Sequence, residues 1–574
     1  MNMKLALPDI KALKDRIPDN TREVIVTCIL SIASALSAVA FLYAIKISFA
    51  LTYERFAEES PLYFIISSFI LITVSSLMVG FLLTVFSPEA AGSGIPQMKA
   101  AYWKESGDLK LKPVIVKFFA GIISIGGGNS LGREGPSVYL GSGVASNLDK
   151  TIEKGERNRR AASVVGASAG LAAAFNTPLA AIAFIIEEVV GDMNNKYLGR
   201  VVISSVIGAF VVYALMGRHP SFSMEMLTDI SWTHYAVVPF AAFAASYLGI
   251  IFQKDTLKLR RSIKKRKKIK PWIMPLFGGL ITWVIGTSLF LFTGKLGVFS
   301  LGYNDLSELM TVGFEWKIAG ILAIGKLIAT ISSYGFGGCG GIFAPSLFIG
   351  GFSGYFIGSA AALWLPLTHD DIIVIAAVGM SSFLGAVVQA PLTSLLIVFE
   401  MTHQFAIVPA LMIGIIVSQA MARKAFRLNF YDAILIQDGN ELHKIRPPVD
   451  LYSWQNLPIS AIAHPNPVVL KDLSNASMKE IIENYPYGAF PVTETGELKG
   501  ILTRDEIKDA LKTREKPKVH EAGTCYCDET VKDVGNRFIE YDVHVLVVKN
   551  RKTEQISGIV TLRDLIRAQS AMQD

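Results

Sequence analysis

From Tyr63 to Phe86 the chain carries no charged residue, and Val24–Leu51 is nearly as apolar. A helix rises about 1.5 Å per residue, so each stretch is long enough to cross a hydrocarbon core about 30 Å thick. Further apolar blocks fall near 114–127, 161–186, 200–216, 235–252, 272–293, 317–331, 341–366, 372–399 and 405–422. Several are short or cut by Gly and Pro, which predicts half-spanning helices rather than a simple serpentine. With 51% hydrophobic residues the chain is too apolar for an ordinary soluble protein. An all-α polytopic membrane domain follows.

Within this apolar background lies Gly132-Arg133-Glu134-Gly135-Pro136-Ser137, followed by Gly141. Burying a glutamate costs several kcal/mol unless it is paired or protonated, so Glu134 needs a reason. Pro136 suits a helix start, and the glycines let backbone N–H groups approach a guest. Donors at a helix N-terminus make an anion site for which the carboxylate can compete. The pattern returns as Gly341-Ile342-Phe343-Ala344-Pro345-Ser346 with Gly350, and there Phe343 stands where Glu134 stood. Glu187 follows Pro178 by nine residues, and Glu400 follows Pro391 by nine. Two matched motifs in the same order mark an internal duplication, and such repeats place their substrate between broken helices. The matched glutamates Glu187 and Glu400 are expected to share a structural role, such as holding helix ends. Glu188 has no such partner, because Met401 occupies its place.

The net charge of +7 does not point to nucleic acid. Much of it lies in Lys254–Lys270, between two apolar blocks and between the two repeats. That is the signature of an inner-side loop touching anionic headgroups. Arg157, Arg159 and Arg160 suggest a second such loop, and the N-terminal segment 1–22 reads as a cytoplasmic lead-in. Cys525 and Cys527 lack a second cysteine pair, and the histidines are scattered, so no structural metal is expected. Gly335-x-Gly337-x-x-Gly340 spells a dinucleotide fingerprint, but no βαβ pattern surrounds it, which leaves helix packing as its use.

After about residue 435 the composition changes. A polar linker, 436–458, contains Pro447-Pro448. Beyond it Gly500-Ile501-Leu502-Thr503-Arg504-Asp505-Glu506-Ile507 recurs as Gly558-Ile559-Val560-Thr561-Leu562-Arg563-Asp564-Leu565. Two units that end strand–turn–strand–helix resemble a tandem pair of CBS domains, an α/β regulatory module, over 459–574. Such tandems often hold an adenine nucleotide, and the resemblance offers Thr503, Thr561 and Asp564 for it. Glu506 stands where the first unit would need an aspartate.

The membrane part, 23–435 with its repeats joined near 254–271, can also be compared. Gly92-Ser93-Gly94-Ile95-Pro96, Gly132-Arg133-Glu134-Gly135-Pro136, Gly341-Ile342-Phe343-Ala344-Pro345 and Tyr431 in Asn429-Phe430-Tyr431 occur in that order. Together they resemble the CLC family of chloride channels and chloride/proton antiporters. The resemblance implies an inverted-repeat fold and a homodimer with one pore per subunit, with both termini cytoplasmic in a plasma or inner membrane. Chloride would be held by the Ser93 and Tyr431 hydroxyls and the N–H groups of Ile342 and Phe343, with Glu134 as the gate. The chemistry fits, since partial charges replace a hydration shell without trapping the ion as a lysine would. No resident cofactor is required.

Within this resemblance the expected function is chloride/proton antiport, with a passive voltage- or pH-gated chloride channel as the alternative, and Glu188 divides them. It resembles the proton-transfer glutamate of the antiporters, where channels commonly carry an apolar residue. At the end of an apolar helix beside Glu187, it is expected to be within reach of water, with partial burial and like-charge repulsion both favouring its protonated form. A magnesium transporter, which CBS domains also accompany, would need more buried acids than the chain offers.

Overall fold

The computed structural model describes residues 19–152, 159–191, 197–217, 227–265, 269–440, 458–465, 467–494, 497–540, 544–551 and 553–565. The N-terminal lysines, Arg157, Asp192–Asn194, 266–268 and most of the linker lie outside these residues. The chain divides into two compact units, Met1–Arg446 and Pro447–Asp574.

The first unit is helical throughout. Its first repeat comprises α1 (Asp19–Phe49), α2 (Pro61–Val85), α3 (Ile95–Lys104), α4 (Leu111–Gly126), α5 (Glu134–Ile152), α6 (Arg160–Phe175), α7 (Pro178–Phe184) and α8 (Leu198–Met216). The second comprises α9 (His234–Lys265), α10 (Met274–Thr293), α11 (Tyr303–Thr311), α12 (Trp316–Gly335), α13 (Phe343–Ala361), α14 (His369–Val388), α15 (Pro391–Thr402), α16 (Val408–Ala425) and α17 (Phe430–Gln437). Among the described residues, eight helices are long and apolar enough to cross a membrane. Ile66, Ile70, Phe81, Phe210 and Phe292 point outward without protein cover, as side chains facing lipid should. This is an integral membrane protein.

Equivalent helices pack in equivalent ways. A Cβ on Gly141 of α5 would lie 2.2 Å from the Gly166 carbonyl of α6, and one on Gly350 of α13 would lie 2.4 Å from the Gly379 carbonyl of α14. Only glycine allows backbones this close, and without a hydrophobic drive between helices in lipid, close contact supplies the attraction. Pro136 and Pro345 sit at the third helical position rather than the first, because the helices begin at Glu134 and Phe343. Their missing N–H still falls in the first turn, where no intrahelical bond is lost.

The basic run departs from the expected loop. Lys254 to Lys265 continue α9 as regular helix. Arg260 and Lys264, one turn apart, both reach Asp438 at the end of α17, the arginine at 2.8 Å. The cations at the end of α9 also complement its dipole, so helix is favoured where composition alone suggested a loop.

The second unit contains a sheet ordered β1-β6-β5-β4, from β1 (His464–Pro465), β4 (Thr524–Tyr526), β5 (Val545–Lys549) and β6 (Ile556–Thr561). A hairpin of β2 (Ala489–Glu494) and β3 (Glu497–Thr503) belongs to the first repeat. The repeats exchange edges: β1 of the first pairs with β6 of the second, while Ile501 of the first bridges His520 of the second. Thr503 and Glu506 form a capping box at the start of α19 (Arg504–Thr513), the helix after α18 (Asn475–Asn484). The G-I-[LV]-T ending therefore signals the strand-to-helix corner.

Candidate functional site

The two glycine–proline motifs meet head to head. Gly132 N–H donates to the Gly341 carbonyl at 2.7 Å, and Gly341 N–H donates back to Gly132 at 2.5 Å. This pairing aims the N-termini of α5 and α13 at one another. The first N–H groups of a helix have no partner inside it, so those of α13 are left for a guest. Glu134, fully buried, takes that position: its Oε2 accepts the Ala344 N–H at 3.3 Å. An acid on one repeat thus caps the helix of the other.

Tyr303, which the sequence pattern did not single out, donates its hydroxyl to Glu134 Oε1 at 2.6 Å. The Arg133 guanidinium lies over the Tyr303 ring, donates to the Ala174 carbonyl at 3.1 Å, and approaches Glu134 only to 4.0 Å. Arg133 therefore orients the loop and the tyrosine.

Ser93 is the centre of a tight loop between two left-handed glycines, Gly92 at φ 69° and Gly94 at φ 96°. Lys117 on α4 donates to the Gly92 carbonyl at 2.9 Å, and the Gly335–Gly340 run clasps the same loop through Gly92 N–H to Gly338 and Gly340 N–H to Gly92. The glycine fingerprint is packing, as expected. A Cβ on Gly135 would meet Ser93 Oγ at 2.1 Å, so the serine lies against the first turn of α5. Tyr431, fully buried, stands near the start of α17 with its ring stacked toward Phe343 at 6.4 Å. The Ser93 and Tyr431 hydroxyls lie close to one another, yet neither completes a well-formed hydrogen bond with the protein. A buried hydroxyl without a protein partner is free to serve a guest. The structure thus brings Ser93, Glu134, Ile342, Phe343 and Tyr431 to one locus.

Two cavities flank this locus. One, of about 700 Å³, is lined by Arg133, Asn176, Lys295, Tyr303, Asp305 and Glu308. The other, of about 590 Å³, is lined by Gly92, Lys104, Tyr139, Arg260, Tyr334 and Asp438.

Glu188 differs from its expected setting. It is 2% exposed, and the neighbouring Glu187 turns away from it. Glu188 Oε1 pairs with Lys99 Nζ at 2.8 Å, and Oε2 accepts from Asn429 Nδ2 at 2.7 Å. Glu187 has partners of its own, accepting the Leu392 and Thr393 N–H groups at the start of α15 at 3.0 and 2.8 Å. Glu400 reciprocates, accepting Leu179 and Ala180 N–H at the start of α7 at 2.9 and 2.7 Å. The matched acids hold helix ends across the repeat.

In the second unit the candidate nucleotide groups are engaged locally. Thr561 donates its hydroxyl to Asp564 at 2.6 Å, and Thr503 donates to Glu506 at 2.7 Å. Each acid also meets a histidine from the other repeat, His464 for Asp564 at 3.1 Å and His520 for Glu506 at 2.6 Å.

Fold and site together define an inverted-repeat membrane protein with donor groups converging at opposed helix ends. The family model described as "Voltage gated chloride channel" matches residues 75–423, and the CBS domain model matches 459–513 and 519–571. The chain belongs to this chloride channel family, the CLC family, with a tandem CBS region. It is 32% identical over 343 residues to the H(+)/Cl(-) exchange transporter ClcA of Vibrio cholerae, covering 58% of this chain and 71% of that protein. To the ClcA of Vibrio campbellii it is 30% identical over 368 residues, covering 61% and 76%. Its fold is similar to that of a slow cyanobacterial Cl-/H+ antiporter, with a TM-score of 0.65 and 22% identity over 73% of this chain and 98% of that one. A eukaryotic CLC transporter aligns at a TM-score of 0.60 and 21% identity over 95% and 98%.

Proposed function

We infer that the protein is a secondary active chloride/proton antiporter, with Glu134 as the gate and Glu188 as the acid that receives the proton from the other side. The observation that carries this reading is the seat of Glu134, a carboxylate held by the Ala344 N–H of the opposing helix beside the idle Ser93 and Tyr431 hydroxyls. An ionised carboxylate and a chloride ion want the same donors. A proton on Glu134 cancels the charge that holds it there, so the side chain leaves and chloride takes its place. Chloride is then held by the two hydroxyls and the N–H groups of Ile342 and Phe343, donors weak enough to release it. Each exchange of carboxylate for anion thereby accompanies one proton movement. The exchange activity named for the Vibrio relatives supports the same reading. We further infer a homodimer whose basic α9 end and CBS pair face the cytoplasm.

The test is reconstitution in liposomes with a chloride gradient. Outward chloride flow should drive proton uptake against the proton gradient. Chloride flux with no accompanying protons would replace this reading with that of a passive channel of the same fold.

A further inference from the structure

The surroundings of Glu188 hold more charge than one proton acceptor needs. Lys99 lies on α3, six residues after Ser93, and is 1% exposed. Its ammonium bridges two acids, Glu188 Oε1 at 2.8 Å and Asp432 Oδ1 at 2.6 Å. Asn429 ties the same two together, donating to Glu188 at 2.7 Å and accepting the Asp432 N–H at 2.8 Å. The exposures are graded: Glu188 is 2% exposed and Asp432 is 25% exposed. Four other charged side chains among the described residues have partners of their own. Glu187 caps α15, Lys104 binds Asn440, and Arg260 and Lys264 bind Asp438.

Two carboxylates share one ammonium in a largely buried cluster. Burying charge is expensive, and a proton shared among the three groups lowers that cost. Asp432 is the member open to water, with its side chain 25% exposed against 1% for Lys99 and 2% for Glu188. Lys99 is the one group among those named that touches both carboxylates, since Asn429 meets Asp432 only at its backbone N–H.

We propose that Asp432 loads the proton from water and that Lys99 hands it to Glu188, building on the reading above in which Glu188 carries the transported proton. Lys99 gives one proton to the Glu188 carboxylate, an N–H bond of its ammonium breaking as an O–H bond forms on Glu188. The neutral amine then takes the proton of the Asp432 carboxyl, which a water-borne proton restores. Lys99 ends protonated as it began, and one proton has moved from water to Glu188. Asp432 follows Tyr431 in α17, and Lys99 follows the Ser93 loop in α3. The proton relay is therefore carried by the same two short helices that present the hydroxyls of the anion site.

Chloride and proton fluxes measured together from full-length protein in liposomes test this. Asp432→Asn should lower proton flux relative to chloride flux by about tenfold or more, and Asp432→Glu should restore most of it. Lys99→Arg keeps the positive charge but cannot give up its proton, so it should lose proton flux as fully as Lys99→Met. Remaining chloride flux shows that each variant is folded. If Asp432→Asn does not reconstitute, Lys99→Met with Asp432→Asn removes cation and partner together, and its proton flux should also be lost. A wild-type ratio of fluxes in Asp432→Asn, in that double variant or in Lys99→Arg overturns the relay while leaving Glu188 as proton acceptor. Wild-type protein that moves chloride without protons overturns both the relay and the antiporter reading.

Discussion

The two repeats of the membrane unit agree in some places and differ in others, and the division is orderly. Gly141 and Gly350 make the same close helix crossing. Lys117 and Lys326 each stand over an aromatic ring, Tyr139 or Phe348, at 5.3 Å. Each also donates to a carbonyl of the loop before a short helix, Gly92 at 2.9 Å or Ser300 at 2.7 Å. Glu187 and Glu400 cap each other's helices. The differences fall at Glu134 against Phe343 and Glu188 against Met401. Where the halves match, the residues build a frame. Where they diverge, an acid stands on one side only.

The largest expected effect belongs to an unmatched acid. Glu134→Gln, which mimics the protonated gate, should reduce chloride-driven proton uptake in liposomes to background while chloride still flows; proton pumping of normal strength removes the gate assignment. Next, Glu188→Val should abolish proton uptake with chloride flux measurable. Its mirror change Met401→Leu, a volume-conserving swap worth less than about 1.5 kcal/mol, should leave the flux ratio as it was. Proton uptake that responds equally to both would break the contrast between the halves.

A smaller and symmetrical effect is expected at the frame. Glu187→Ala and Glu400→Ala each leave two helix N–H groups without an acceptor, a loss of about 2 kcal/mol each. Thermal unfolding in detergent should place the two variants close together, and a large gap between them would show that one acid does more than cap. The smallest effect lies in the CBS unit. Burial alone would raise Glu506, but the Thr503 N–H and hydroxyl and His520 outweigh it and hold its carboxyl below the usual 4.5. A depressed folded pKa contributes stability above the unfolded value and loses it as pH falls through the folded one. Glu506→Gln should therefore flatten the acid side of the unfolding profile below about pH 4.5. An unchanged profile would leave the His520 contact without energetic weight.

Much of the frame was legible because it repeats. The glycine–proline motifs and the nine-residue proline-to-glutamate spacing mark the opposed helix ends in the sequence itself. Lys117 and Lys326 carried the same signal, since each stands fifteen residues before its glycine, Gly132 or Gly341, in an apolar helix. Tyr303 and Lys99 were not legible at all, because their partners are distant in the chain and nothing local marks them. Glu188 was found but given the wrong surroundings. Neighbours in sequence suggested repulsion from Glu187, whereas the two side chains reach different partners. The basic end of α9 was misread as loop because charge density outweighed helical spacing.

The reciprocal bonds between Gly132 and Gly341 also bear on history. Two separate copies of one ancestral half, meeting about a two-fold axis, would bring identical residues to both helix ends. Such an assembly could carry an acid at both positions or at neither, and two facing carboxylates would repel. A glutamate opposite a phenylalanine becomes attainable only once the halves are encoded independently. The lopsided centre of this molecule therefore dates from after the duplication that made its symmetrical frame.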